Sequence, residues 1–247
     1  RNMRILALDS SGLVASVAVV EKDGEETSTI AEYTVNYKKT HSQTLLPMLD
    51  EIVHMTELDL NTVDAIAVAG GPGSFTGLRI GSATAKGLGL ALKKPLIHIP
   101  TLEGLAYNLW GTDKIVCPIM DARRGQVYTG IYEFDGNELR VLEDQMAVSI
   151  EELGEKLKQY SRPVVFLGDG VPVFRKRLVT EIMPESDLHF APASMNRQRA
   201  ASVGSLAIRY YEEGKTETAV EHQPDYLRVS QAERERAERE RAKQEAR

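Results

Sequence analysis

Three groups of residues in this chain have types and spacings that could do chemistry. Asp9-Ser10-Ser11-Gly12 ends an apolar run, and a carboxylate followed by two hydroxyls in a tight turn suits a phosphate or a magnesium ion. Asp9, Ser10 and Ser11 are therefore candidate nucleotide contacts, against the alternative of a purely structural hairpin turn. The second group is the run Gly70-Gly71-Pro72-Gly73-Ser74-Phe75-Thr76-Gly77, where bare backbone N–H groups at a helix start would attract phosphate. Its details depart from the two commonest nucleotide loops. No Lys-Ser or Lys-Thr follows the glycines, and Arg79 does not stand in for one. The next strand ends in Pro100-Thr101, with no acid at its tip to hold a ribose. The third group is the histidines: His41, His54, His98, His189 and His222 include no pair three to five apart, so a helical metal pair is not expected, although a folded site could draw on distant residues.

Other familiar arrangements are missing from the sequence. Cys117 is the sole cysteine, which excludes an internal disulfide and a cysteine-based zinc site. Glu151-Glu152 falls at a helix start, where carboxylates favour the dipole and need no acid–base role. There is no Gly-x-Ser-x-Gly elbow. The expectation is no catalytic residue, no metal and no cofactor.

The elements that would position these groups follow from hydrophobic periodicity. Arg4 to Asp9, Val14 to Val20 and Ser28 to Tyr37 read as strands, the first two as a hairpin turning again at Asp23-Gly24. Leu45, Leu46, Leu49, Ile52 and Val53 form the stripe of an amphipathic helix, with Pro47 in its first turn or at a kink. Ala65 to Ala69 is a buried strand. It enters the glycine turn, and Ser74 or Thr76 caps the helix that runs on to Leu92. A strand over Pro95 to Ile99 and a helix over Thr101 to Trp110 complete this half.

That helix carries Gly77, Gly81, Ala85 and Gly89 at i, i+4 intervals, although each interior glycine costs about 1 kcal/mol against alanine. A ridge without side chains lets another backbone approach closely. The backbone could belong to the same domain or to a partner chain.

From Lys114 the pattern restarts. Ile115 to Met120 leads into Asp121, a hairpin over Val127 to Phe134 turns at Asp135-Gly136, and a strand over Arg140 to Val148 follows. Helix Ile150 to Tyr160, strand Val164 to Leu167, helix Val173 to Met183 and helix Arg197 to Glu213 come next. Asp9 and Asp23 are 14 positions apart, as are Asp121 and Asp135. Two lobes of one ancestral topology are expected, α/β in class, each a mixed sheet with helices. The divisions expected are residues 3–110, 111–229, and a Glu/Arg-rich solvated tail over 230–247 with no apolar stripe.

Composition limits the function. Across 247 residues, 42% apolar content supplies a real core, and a net charge of −6 disfavours autonomous nucleic-acid binding. No apolar run approaches the roughly 20 residues of a membrane span. A cytoplasmic protein with no membrane contact is expected.

The run from Gly70 through Leu78-Arg79-Ile80 to Gly81 resembles the TsaB family, a bacterial subunit in making threonylcarbamoyladenosine, next to the anticodon, in transfer RNA. Supporting matches are Ile5 to Ser11, His41-Ser42-x-x-Leu45-Leu46-Pro47 and Pro224-x-Tyr226-Leu227-Arg228. The resemblance implies a two-lobed fold of the actin and sugar-kinase (ASKHA) class. In that class a similar Asp-x-Gly-Thr turn faces the phosphates of ATP, whereas here serines replace its glycine and threonine.

The related catalytic subunit, TsaD, carries metal-binding histidines in a His-x-Glu-Gly-His run. This chain reads Thr101-Leu102-Glu103-Gly104-Leu105, so that metal chemistry, and a glycopeptidase activity with it, should be absent. What is implied is a noncatalytic scaffold for TsaD, reaching the ATPase subunit TsaE and tRNA through the complex; whether the chain alone is a homodimer or a monomer stays open. The implied interface is a bundle of the first helix and the glycine helix with their counterparts in the paralogue, using Leu45, Leu46, Leu49, Ile52, Phe75, Gly77, Leu78, Gly81, Ala85 and Gly89. The competing expectation is an ATP-dependent phosphotransferase of the sugar-kinase class working through Asp9.

Overall fold

The computed structural model describes residues 2–37, 40–227 and 231–246. Its first half runs β1 (Met3–Asp9), β2 (Ala15–Asp23), β3 (Glu26–Val35), α1 (His41–Met55), β4 (Ala65–Ala69), α2 (Phe75–Leu92), β5 (Leu96–Ile99) and α3 (Thr101–Tyr107). The second half repeats it as β6 (Ile115–Asp121), β7 (Gln126–Asp135), β8 (Glu138–Ser149), α4 (Ile150–Lys158), β9 (Val164–Leu167), α5 (Val171–Arg177), β10 (Leu188–Phe190) and α6 (Ala200–Glu212). The two sheets have the same order, β3-β2-β1-β4-β5 and β8-β7-β6-β9-β10, so the expected duplication is present in full.

The central strands read as unbroken apolar runs because both their faces are buried. In β1, Leu6 and Leu8 join Ile66 and Val68 of β4 in the core under α1 and α2. Ile5 and Ala7, alternating with them, join Ala65, Ala67 and α6 on the opposite face. Each large side chain so buried contributes about 1.5–3 kcal/mol.

The last helix of each half crosses to the other sheet. Ala200, Val203 and Ala207 of α6 pack on the first sheet. Leu102, Leu105 and Ala106 of α3 pack against Val116, Met120, Tyr132 and Leu167 of the second. A cut near residue 110 therefore separates the repeats in sequence but not the lobes in space.

Several details depart from the sequence reading. Helix α1 starts at His41, which moves Pro47 from its first turn to its second. Helix α5 stops at Arg177 and continues as a π-helical turn over Leu178–Ile182. The three half-buried residues of β10 offer too short a pattern to read. The tail forms α7 (Gln231–Glu245), whose described side chains are exposed, as expected of a solvated helix; Ser230 and Arg247, like Arg228 of the Pro-x-Tyr-Leu-Arg motif, lie outside the described residues.

Candidate functional site

The Asp9 turn and the glycine turn are packed backbone against backbone. Asp9, Ser10 and Ser11 are 2%, 2% and 0% exposed. The Ser11 amide and hydroxyl both donate to Asp9 Oδ1, at 3.0 and 2.6 Å. Ser10 Oγ donates to the Gly77 carbonyl at 2.8 Å, and the Ser74 amide donates to the Ser11 carbonyl at 2.7 Å. A Cβ on Gly73 would stand 2.3 Å from the Ser11 carbonyl oxygen. Burial pushes the Asp9 carboxyl up to about 6 despite the lowering effect of the Ser11 bonds. The expected nucleotide contacts are thus corrected: the three residues are buried, and their hydrogen bonds go to one another and to the glycine turn and helix packed on them.

The glycine ridge of α2 is also turned inward. A Cβ would meet the Ser10 carbonyl oxygen at 2.1 Å from Gly77, Ser10 Oγ at 2.5 Å from Gly81, and Leu96 Cδ1 at 2.4 Å from Gly89, while Ala85 is wholly buried. Leu45, Leu49, Ile52 and Leu78 are buried side chains of the same lobe. Eight of the ten residues expected at a partner interface are therefore internal, because the apolar stripe of an amphipathic helix goes first to its own sheet. The two with surface are Leu46, 62% exposed, and the half-buried Phe75, whose ring lies 5.0 Å from that of Tyr226.

The outer faces of α1 and α2 carry a different set. Ala83, Gly87 and Ala91, again at i, i+4, are exposed, and nothing lies within 4 Å of a Cβ built on Gly87. Met55 and Leu90 add apolar surface, at 66% and 60% exposure. The spacing of this second small-residue ridge was visible in the sequence; which ridge faced outward was not.

At the joint between lobes, Gly71 adopts φ +110° and a Cβ there would lie 2.1 Å from the Asp225 carbonyl oxygen. Its amide donates to Thr101 Oγ1 at 3.0 Å. Gln145 of β8 accepts from the Leu102 amide at 2.9 Å and donates to the Gly71 carbonyl at 3.2 Å. Thr101 and Leu105 are buried, and Leu105 is core. Glu103 accepts from the Tyr210 hydroxyl, and burial holds its carboxyl above the usual range.

Folding also gathers three residues that no sequence spacing joins. His98, Glu217 and His222 each offer one ligand atom, and these atoms all lie within 4.8 Å of one another. His222 Nδ1 is 2.5 Å from Glu217 Oε1. Burial, then the neighbouring His222, lowers the His98 pKa.

The duplicated sheets and exchanged helices define a two-lobed protein of the actin and sugar-kinase class. The family model for TsaD, tRNA N6-adenosine threonylcarbamoyltransferase, matches residues 28–236. The tRNA threonylcarbamoyladenosine biosynthesis protein TsaB of Bacillus subtilis is 33% identical over 234 residues, covering 94% of this chain and 96% of that protein. TsaB of Escherichia coli is 34% identical over 231 residues, covering 92% and 95%. A Pseudomonas aeruginosa crystal structure of a protein with similarity to peptidase YeaZ superposes with a TM-score of 0.77 at 27% identity, covering 92% of this chain and 100% of that one. This chain belongs to the TsaB family, within the wider group that the TsaD model describes. Among its described residues no helix is long and apolar enough to cross a membrane.

Proposed function

We propose that this chain is a noncatalytic subunit in threonylcarbamoyladenosine synthesis on tRNA, and that it holds the catalytic paralogue TsaD in its working form. The observation that carries the noncatalytic part is the run Thr101 to Leu105. At the two positions where the catalytic relative has metal-binding histidines, Thr101 is bonded to Gly71 and Leu105 fills the core. Neither side chain can supply an imidazole, and neither reaches an open cleft. The buried Asp9 turn weighs against the phosphotransferase alternative in the same way.

The docking surface is the outer face of α2, with Ala83, Gly87, Leu90 and Ala91, extended by the exposed Leu46 of α1. Exposed apolar side chains beside a ridge of small residues suit close contact with another helix pair. The same face would serve a homodimer when the paralogue is absent, and TsaE and tRNA are reached through the complex. The protein works in the cytoplasm.

The test is reconstitution. This chain and TsaD, each purified, are assayed alone and together for threonylcarbamoyl transfer to tRNA. Activity is expected only where TsaD is present, rising when this chain is added, and Leu46→Asp with Leu90→Asp should remove the stimulation. Transfer by this chain alone would overturn the reading.

A further inference from the structure

We infer that His98, Glu217 and His222 form a binding site for one divalent transition-metal ion, for which zinc is the best match. Two imidazoles and a carboxylate are a donor set that zinc uses, with a fourth position left to solvent. The three ligand atoms lie within 4.8 Å of one another, whereas zinc–ligand bonds of 2.0–2.1 Å would hold them about 3.3 Å apart in a tetrahedron. Rotation of the side chains by roughly 1.5 Å closes that gap.

The backbone already fixes where these side chains stand. His98 lies on β5, and Glu217 is pinned to the same strand by reciprocal amide–carbonyl bonds with Leu96, at 2.8 and 2.9 Å. His222 closes a short turn through its amide to the Thr218 carbonyl. Further on, the Asp225 amide donates to the Gly70 carbonyl at 2.6 Å, so residues 217–225 form a strap tied at both ends. The His98 ring lies directly on Gly70, where a Cβ would come within 2.1 Å of it. Among the described residues these contacts leave the two rings side by side, with centroids 5.5 Å apart.

The second observation is the burial of the central ligand. His222 is 0% exposed, and its Nδ1 stands 2.5 Å from Glu217 Oε1. Metal binding displaces the proton between two such atoms, and both then serve as ligands.

Bound there, the ion would clip the strap to β5 beside the glycine turn, a structural role separate from the outer helix face. It reverses the expectation of a metal-free chain, which rested on helical histidine spacing and on the Thr101 to Leu105 run. Neither bears on residues brought together from a strand and a distant loop.

The full chain, stripped with EDTA and desalted, is titrated with zinc alone. Metal content after gel filtration and the melting temperature are measured, and cobalt(II) is used in parallel for its visible absorption. The expected result is one equivalent of zinc, a higher melting temperature, and cobalt bands of a four-coordinate nitrogen and oxygen site. His98→Gln and Glu217→Gln, both at partly exposed positions, should stay folded and lose the equivalent, the shift and the bands. His222→Ala should do the same where it folds. No zinc-dependent shift in the parent chain, or equal uptake by His98→Gln, would overturn the site and leave His222 and Glu217 as a hydrogen-bonded pair.

Discussion

Gly81 lies against Ser10: a Cβ on the glycine would stand 2.5 Å from the serine Oγ, which itself donates to the Gly77 carbonyl. Helix α2 is thereby seated on the Asp9 turn. A leucine at position 81 would displace Ser10 and break its bond to the helix. Overpacking of this kind costs about 1–3 kcal/mol, against a gain of up to about 1 kcal/mol from removing a helical glycine. Gly81→Leu is therefore expected to lower the urea midpoint of the isolated chain, and an unchanged midpoint would show that the helix does not sit there.

Asp9 should make the chain less stable as pH rises. Its carboxyl is raised from 3.8 to about 6 in the folded state, so between those values the native form holds a proton that the unfolded form has released. Stability from this group is full below about pH 4, falls across the window and is lost above about pH 6, a change on the order of 3 kcal/mol. Glu103 and Asp169 are raised by burial too, so the difference between the parent and Asp9→Asn isolates the group. Asparagine keeps an oxygen for the Ser11 bonds and does not titrate. Denaturation at several pH values should give Asp9→Asn a flatter profile between pH 4 and 6, and identical slopes would remove Asp9 as the source.

Gln145 joins the lobes through a single side chain, and Gln145→Ala leaves the Leu102 amide at the start of α3 without its acceptor. Loss of such a bond in a partly buried place costs about 1–3 kcal/mol. The amide of Leu102 should exchange with deuterium faster than in the parent, with amides in β1 and β4 unaffected. Equal exchange at Leu102 would mean that this amide does not depend on Gln145 for its protection.

Much of this architecture is legible in the sequence, and the limits have physical causes. Ala65 to Ala69 and Arg4 to Asp9 can be found because strands buried on both faces read as apolar runs. The duplication shows in the matched spacing of Asp9 with Asp23 and Asp121 with Asp135. The orientation of α2 is not legible, because two ridges of small residues run along one helix and either could face inward. What decides between them is the seating of Ser10 and Leu96 on the first ridge, which only the folded chain displays. The crossing of α3 and α6 between sheets is hidden for a similar reason: their apolar stripes mark a buried face but not the sheet that covers it. His98 and His222 are 124 positions apart, beyond the reach of any spacing rule.

Gly87 is where the partner reading can be separated from internal packing. A Cβ on it meets nothing within 4 Å, its φ does not require glycine, and alanine there should stabilise the helix by about 1 kcal/mol. The chain thus keeps a glycine that its own fold does not use, in line with exposed Ala83 and Ala91. If a helix of TsaD packs on this ridge, added bulk must push the two backbones apart. Gly87→Ala should raise the melting temperature of the isolated chain. Gly87→Leu should leave that chain folded while weakening association by about 1–3 kcal/mol, roughly 5- to 150-fold. Calorimetry reports the first quantity and analytical ultracentrifugation of the mixed subunits the second. Normal association of Gly87→Leu would move the docking surface off α2, whereas lost association in a chain that still melts normally would place the partner's backbone against this ridge.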